Sequence, residues 1–341
     1  MNQNTTVLVT GASGFVGIHC VVALLKDGYN VRGTIRSLKK EAAVRKTVAK
    51  FVDADERFSL VEADLLSDAG WDAAVQDCDY VLHVASPFPL MEPKHEDDLI
   101  IPAREGTLRV LRAAAEKNVK RVVLTSSVAA VAYGHPKEKT QFDESDWSLA
   151  DSPTISAYSK SKTLAERAAW DFVENLPNEK KMELATINPG LILGPLPDTN
   201  ARTSGVLVQS LMQATIPGLA RMHFNAVDVR DVAAAHVQAM TKPEAAGQRF
   251  ICVGDSFWME DVAKVLKEAY PAYPIKTIVF PSWMVRIVAI FSKEARATVD
   301  SLDQELTVDN TRIKEVLNWQ PRDMKEMVLS MAESMIELKM I

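Results

Sequence analysis

The sequence predicts an α/β protein: a doubly wound parallel sheet with a smaller, discontinuous, mostly helical lobe. Three observations carry this reading. Short apolar runs alternate with helical stretches up to about residue 190. A glycine-rich turn, Gly11 to Gly17, parts the first apolar run from the first helix. After Pro189 the alternation gives way to proline and glycine punctuation. Strands separated by helical crossovers pair in parallel with right-handed connections.

The elements follow in order. Residues 7–10 form a short apolar strand, and 14–27 a helix closing at Gly28, where a left-handed residue suits the C-cap. A second strand covers 30–36, a charged helix 39 to about 52, and a third strand 58–62. A short helix at 71–76, a strand at 80–84, a long helix at 99–117 and a strand at 121–126 come next. A helix from about 157 to 174 and a strand at 183–188 complete the alternation. Residues 189–197 read as loop with little regular structure. Residues 228–240 suit a helix, 249–253 a short strand that rejoins the main sheet, and the rest is mostly helical, with 271–281 as an extended interruption. One lobe is therefore expected over 1–190 plus about 225–254, the other over about 191–224 plus 255–341.

Bulk properties narrow the function. The chain has 341 residues, 47% hydrophobic and 25% charged, ordinary for a globular protein. A net charge of −6 argues against general nucleic-acid binding while leaving room for a local phosphate pocket. Cys20, Cys78 and Cys252 are widely spaced and read as buried side chains of a reducing compartment. The six histidines form no tight ligand cluster, so no metal is expected. The polar start leads straight into the first strand with no signal peptide. The apolar stretch 283–291 is too short to span a bilayer and contains Arg286; a core-packed helix is expected there. A cytoplasmic protein without membrane or nucleic-acid partners follows.

The turn Gly11-Ala12-Ser13-Gly14-Phe15-Val16-Gly17 has the form of a dinucleotide cradle. The first glycine permits the tight turn, the second lets backbone approach a pyrophosphate, and the third brings helix and sheet together. The helix N-terminus adds free N–H groups and partial positive charge. This makes the sheet Rossmann-type. At the end of the second strand an acidic residue would hold a ribose 2′-hydroxyl, whereas cations suit a 2′-phosphate. Here stand Arg36, Ser37, Lys39 and Lys40, which predicts NADP(H). Tyr158 and Lys162, four apart on a helix, project from one face. An ammonium beside a phenol favours the phenolate, bringing a pKa that starts near 10 toward neutrality. With Thr125-Ser126-Ser127 between them in the chain, these features point to hydride transfer.

Together the glycine turn, Asp64-Leu65, Thr125-Ser126-Ser127, Tyr158 with Lys162, and Asn188-Pro189-Gly190 resemble the extended short-chain dehydrogenase/reductase family. His83 to Pro87, residues 102–109 and Tyr158 to Glu166 are similar to its dihydroflavonol 4-reductase, cinnamoyl-CoA reductase and fungal carbonyl reductase branch. The resemblance implies that Tyr158 is the general acid, that Lys162 holds the nicotinamide ribose and keeps the tyrosine acidic, and that Ser127, rather than its neighbour Ser126, binds the carbonyl oxygen. It implies that Asp64 contacts adenine, with Leu65 against the ring, and that Val84, Ala85 and Ser86 line the dinucleotide. Pro189, Gly190, Leu191 and Ile192 would abut the carboxamide, and Ser204 would reach a phosphate.

Substrate walls are expected from Phe88, Ser127, Tyr133, Met222 and Phe224, with core packing an equal reading for Met222 and Phe224. Residues 128–132, Val-Ala-Ala-Val-Ala, lack the hydrogen-bonding side chain that flavonoid reductases of this branch carry, which favours simpler aldehydes or ketones. An NADPH-dependent carbonyl reductase, monomeric or homodimeric, leads. A sugar-nucleotide epimerase or dehydratase with tightly held NAD, and a non-catalytic dinucleotide sensor, remain the alternatives.

Overall fold

The computed structural model describes residues 4–87, 95–199, 202–291 and 298–341. Its strands are, in order, β1 (Thr6–Val9), β2 (Asn30–Ile35), β3 (Phe58–Glu62), β4 (Tyr80–His83), β5 (Arg121–Thr125), β6 (Gln141–Phe142), β7 (Glu183–Pro189), β8 (Leu191–Leu193), β9 (His223–Asp228), β10 (Arg249–Cys252), β11 (Asp255–Trp258) and β12 (Thr307–Val308). The helices used below are α1 (Phe15–Lys26), α2 (Glu41–Val48), α3 (Trp71–Val75), α4 (Asp97–Glu116), α5 (Ala157–Glu174), α6 (Arg202–Met212) and α7 (Val229–Thr241).

Seven strands form one sheet in the order β10-β7-β5-β4-β1-β2-β3. Every neighbouring pair is parallel. The chain winds outward from β1 to β3, then returns beside β1 with β4 and winds the other way. This reversal opens a crevice at the carboxyl ends of β1 and β4, where ligands of such sheets lie. Both faces of the sheet are covered, so strands β1, β4, β5, β7 and β10 are near-continuous buried runs, while the outer strands β2 and β3 are mixed. Helices α1 and α7 close one face through Ile18, Leu25, Val232 and Val237. Helices α3, α4 and α5 close the other through Trp71, Val110, Leu111 and Ala169.

A second sheet, ordered β11-β9-β8, packs with α6, the helix Met259–Ala269 and the helix Met324–Glu337 around Leu193, Phe257, Leu266, Met331 and Met335. It corrects the expectation that 189–197 is mostly irregular. β7 runs through Pro189, and Leu191–Leu193 forms β8 by pairing in parallel with β9. A three-residue strand between prolines and glycines owes its existence to that partner, so it leaves no periodicity to read. The strand β9 and helix α6 likewise went unanticipated. A second correction concerns the apolar stretch 283–291, expected as a core helix. The helix there is Ser282–Val288 and buries none of its residues. Trp283 is 62%, Ile290 64% and Phe291 86% exposed. Apolar composition does not supply a partner, and this short helix lacks one among the described residues.

Candidate active site

The glycine turn leaves β1 and enters α1 at the crevice. Gly11 has φ +67°, the left-handed region, and its N–H donates to Thr34 Oγ1 at 3.0 Å. A Cβ on Gly17 would stand 2.2 Å from the Gly11 carbonyl oxygen, so that position admits glycine alone. Gly14 caps α1 without a side-chain acceptor, and no acidic residue occupies the first turn. The opening N–H groups thus point into the crevice beside Ser13, an anion site in waiting. Phe15 and Val16 turn the other way, Phe15 edge-on to His19 and Val16 onto the core. Ala85 faces Gly11 from the end of β4, and Val84 and Ser86 flank it, half-buried.

At the end of β2, Arg36 is exposed and makes no hydrogen bond or ion pair with the described residues. Lys40 ends an exposed 3₁₀ turn, Leu38–Lys40, where a longer helix from 39 was expected. Glu62, at the end of β3, accepts the Leu38 N–H at 3.0 Å and ties this loop down. Asp64 spends one carboxylate oxygen on a turn, accepting the Leu66 N–H at 3.0 Å. Leu65 lies against Gly106 of α4.

Helix α5 begins at Ser156, whose hydroxyl accepts the Ser159 N–H at 3.1 Å, and this cap fixes the first turn that bears Tyr158. Tyr158 is hydrogen-bonded to Ser127 across the crevice. Burial pushes its phenol up to about 12, against the Ser127 bond, which lowers it, and with a smaller upward push from Tyr133. The expected lowering by Lys162 is therefore not what dominates: desolvation of the phenol wins, and the proton stays on. Burial brings the Lys162 ammonium down to about 8, opposed by Glu166 one turn along α5. Ser127 Oγ also donates to Pro189 O at 3.4 Å and accepts the Ala129 N–H at 3.1 Å. Its neighbour Ser126 points elsewhere, donating to Glu166 at 2.5 Å.

Beneath the crevice lies a polar network that sequence reasoning missed. Glu166 is 1% exposed. It accepts from Ser126, from Thr186 Oγ1 at 3.1 Å, from Asn188 Nδ2 at 2.8 Å and from Arg249 Nε at 2.7 Å. Asn188 Nδ2 also donates to the Ser127 carbonyl oxygen at 3.2 Å. Two histidines back the same strand ends. His83 Nδ1 is hydrogen-bonded to Thr10 Oγ1 at 2.8 Å, and His236 Nε2 to Thr125 Oγ1 at 2.6 Å. Burial lowers His83 to about 3, with the Lys162 charge adding to it, and lowers His236 to about 4. The readable signal was Glu166 itself, a carboxylate four residues from Lys162 on one helix face.

The other expected residues scatter. Tyr133 is 39% exposed and electrostatically coupled to Tyr158. Gly190 packs so close to β9 that a Cβ would meet Asn225 O at 2.1 Å, and Leu191 and Ile192 follow it on β8. Phe224 packs with Phe257, ring centroids 6.5 Å apart, in the core of the smaller sheet. Met222 pairs with Leu302 as an isolated bridge. Phe88 and the side chain of Ser204 lie outside the described residues. No group of three His, Cys, Asp or Glu side chains among the described residues could hold a metal. Nor is any described helix long and apolar enough to cross a membrane.

A parallel sheet with a glycine cradle at its switch point, facing a Ser–Tyr–Lys set, defines a dinucleotide-binding α/β protein of the extended short-chain dehydrogenase/reductase type. The chain belongs to the NAD dependent epimerase/dehydratase family, whose model matches residues 7–254. It is 34% identical to the NADPH-dependent methylglyoxal reductase GRE2 of Saccharomyces cerevisiae, over 98% of this chain and 99% of that one. It is 38% identical to the cinnamoyl-CoA reductase CAD2 of Medicago truncatula, over 80% and 82% of the two chains. Among solved structures it resembles yeast methylglyoxal/isovaleraldehyde reductase Gre2 complexed with NADPH, with TM-score 0.82 and 30% identity over 98% of this chain and 99% of the other.

Proposed function

We propose that this chain is an NADPH-dependent reductase of aldehydes and ketones. The observation that carries the reading is the Tyr158 phenol, held protonated and hydrogen-bonded to Ser127, one helical turn from the buried Lys162. The crevice suits the cofactor: an uncapped helix start that would take the pyrophosphate, a close-packed glycine turn, and an exposed Arg36 that would take a 2′-phosphate. Bound NADPH supplies hydride to the carbonyl carbon. Ser127 Oγ and Tyr158 Oη donate hydrogen bonds to the carbonyl oxygen, and as charge develops there Tyr158 releases its proton to it. A phenol at about 12 is the correct form to donate at neutral pH, and the Lys162 ammonium stabilises the phenolate left behind. Lys162 would also hold the nicotinamide ribose.

The wall Val128 to Ala132 is buried and apolar, which favours small or aromatic carbonyl substrates. The carbonyl compounds for which the relatives are named, methylglyoxal, isovaleraldehyde and a cinnamoyl thioester, fit that class. With this function go a cytoplasmic location, a monomer or homodimer, and a division into a dinucleotide lobe, 1–190 plus about 225–254, and a substrate lobe. Tyr158→Phe tests the core of it. Turnover of methylglyoxal should fall by about 10²–10⁴-fold, while NADPH binding, followed by nucleotide fluorescence, is retained. Turnover near the wild-type rate refutes the assignment.

A further inference from the structure

Glu166 is the most heavily bonded buried carboxylate among the described residues, and the catalytic scheme above gives it no task. Its partners come from three strands of the main sheet, β5, β7 and β10. Ser126 stands at the end of β5, Thr186 and Asn188 in β7, and Arg249 at the start of β10. Glu166 itself is carried by α5, together with Tyr158 and Lys162. Asn188 is the bridge. A single amide nitrogen donates to Glu166 Oε2 at 2.8 Å and to the Ser127 carbonyl at 3.2 Å, so the carboxylate fixes the backbone of the residue that bonds Tyr158. Arg249 balances the charge, with Nε 2.7 Å from Oε1, and its guanidinium is itself stacked 3.7 Å over the Trp147 ring.

We propose that Glu166 is a positioning residue for the reaction: through Asn188 it sets the place of Ser127, and it supplies the anion that faces the Lys162 ammonium. A purely structural ion pair would hold the elements together and no more. This one shares a small cavity with the lysine: Lys162, Glu166, Ser126 and Thr107 all line it. The charged and titratable groups that act on Lys162 or feel its charge are Glu166 from its own helix and His83 from β4, with Arg249 from β10 behind Glu166; Tyr158 stands one turn back along the same helix. Strand β5 and helix α4 contribute hydroxyls there, from Thr125, Ser126 and Thr107. His83 is buried and electrically neutral, so Glu166 is the anion that keeps Lys162 charged.

The inference rests on the reductase reading, and its test separates the two. pH–rate profiles for NADPH-dependent methylglyoxal reduction are measured for the wild type, Glu166→Gln, Arg249→Met and the double variant. In Glu166→Gln the alkaline limb of kcat should move down by about one pH unit, since the lysine loses its anion. In Arg249→Met it should move up, since the carboxylate is left unbalanced. The double variant, which keeps the packing without a buried lone charge, should fall between Glu166→Gln and the wild type. It carries the test alone where a single variant does not fold. kcat should fall more than the KM for NADPH rises. Superimposable limbs in every folded variant overturn the positioning role and leave Glu166 a structural residue. Tyr158→Phe, run beside them, distinguishes the cases: an inactive Tyr158→Phe with unmoved limbs sinks this inference only, an active one sinks Tyr158 as the proton donor, and a wild type that reduces no carbonyl compound with NADPH sinks the reductase reading itself.

Discussion

Acid should unfold this protein through its interior histidines before its carboxylates titrate. His19, His83 and His236 are 6%, 0% and 0% exposed, and burial lowers them from 6.5 to about 4, 3 and 4. Each is bonded as a neutral ring: His19 Nε2 to Pro195 O at 3.0 Å, His83 to Thr10, and His236 to both Thr125 and Val232 O. The depressed values set the sign. Above pH 6.5 the rings are neutral in both states and cost nothing. As pH falls below 6.5 the unfolded chain takes up protons that the folded one refuses, and stability drops until the folded rings titrate near 3–4. From pH 7.5 to 5.5 each ring contributes a loss of about 1.4 kcal/mol, so the three together remove about 4 kcal/mol. That is a large part of the 5–15 kcal/mol typical of a domain. Urea unfolding, followed by the fluorescence of the six tryptophans, measures it at the two pH values. His236→Gln should recover about a third of the difference. The carboxylates held below their usual range, Asp79, Asp143 and Asp309, weaken the fold only at lower pH, as they protonate. A free energy of unfolding that changes by less than about 1 kcal/mol between pH 7.5 and 5.5 would refute the reasoning.

Three substitutions test the site further. Arg36→Ala should raise the KM for NADPH far more than that for NADH; an equal loss with both would make Arg36 a fold residue. Gly17→Ala should abolish dinucleotide binding or folding, since its Cβ would sit 2.2 Å from a backbone oxygen, and a variant that binds NADPH normally in a titration contradicts the packing argument. Ser127→Ala should lower kcat by about 10²–10³, as for loss of one oxyanion donor. Ser126→Ala should leave kcat within a few-fold and cost about 1–3 kcal/mol of stability, because it removes a buried donor to Glu166. The reverse ranking in steady-state kinetics would exchange the roles of the two serines.

What was legible in the chain was whatever depends on local pattern. The strand-and-helix alternation, the glycine turn and the Tyr158–Lys162 spacing are set by neighbours a few residues apart, and the seven-stranded sheet follows from them. What escaped depends on distant partners. β8 exists because Leu191 to Leu193 meet β9. The phenol stays protonated because of what buries it, which the adjacent Lys162 does not reveal. Arg249 reaches Glu166 across 83 positions, so neither residue announced the other. The exposed helix 282–288 failed in the opposite sense: its apolar letters suggest a buried face, and the fold provides none among the described residues.

The edge strand β10 also limits how the protein can be re-engineered. In the chain it follows strands β8 and β9 of the smaller sheet, yet it returns to the edge of the main sheet and supplies the guanidinium that neutralises a carboxylate there. A chimera joined at residue 190, taking everything downstream from a relative with other tastes in substrate, would inherit that counter-ion from the donor or lose it. Designs that swap specificity should therefore transplant 191–248 as an insert and keep the recipient's own Arg249–Cys252.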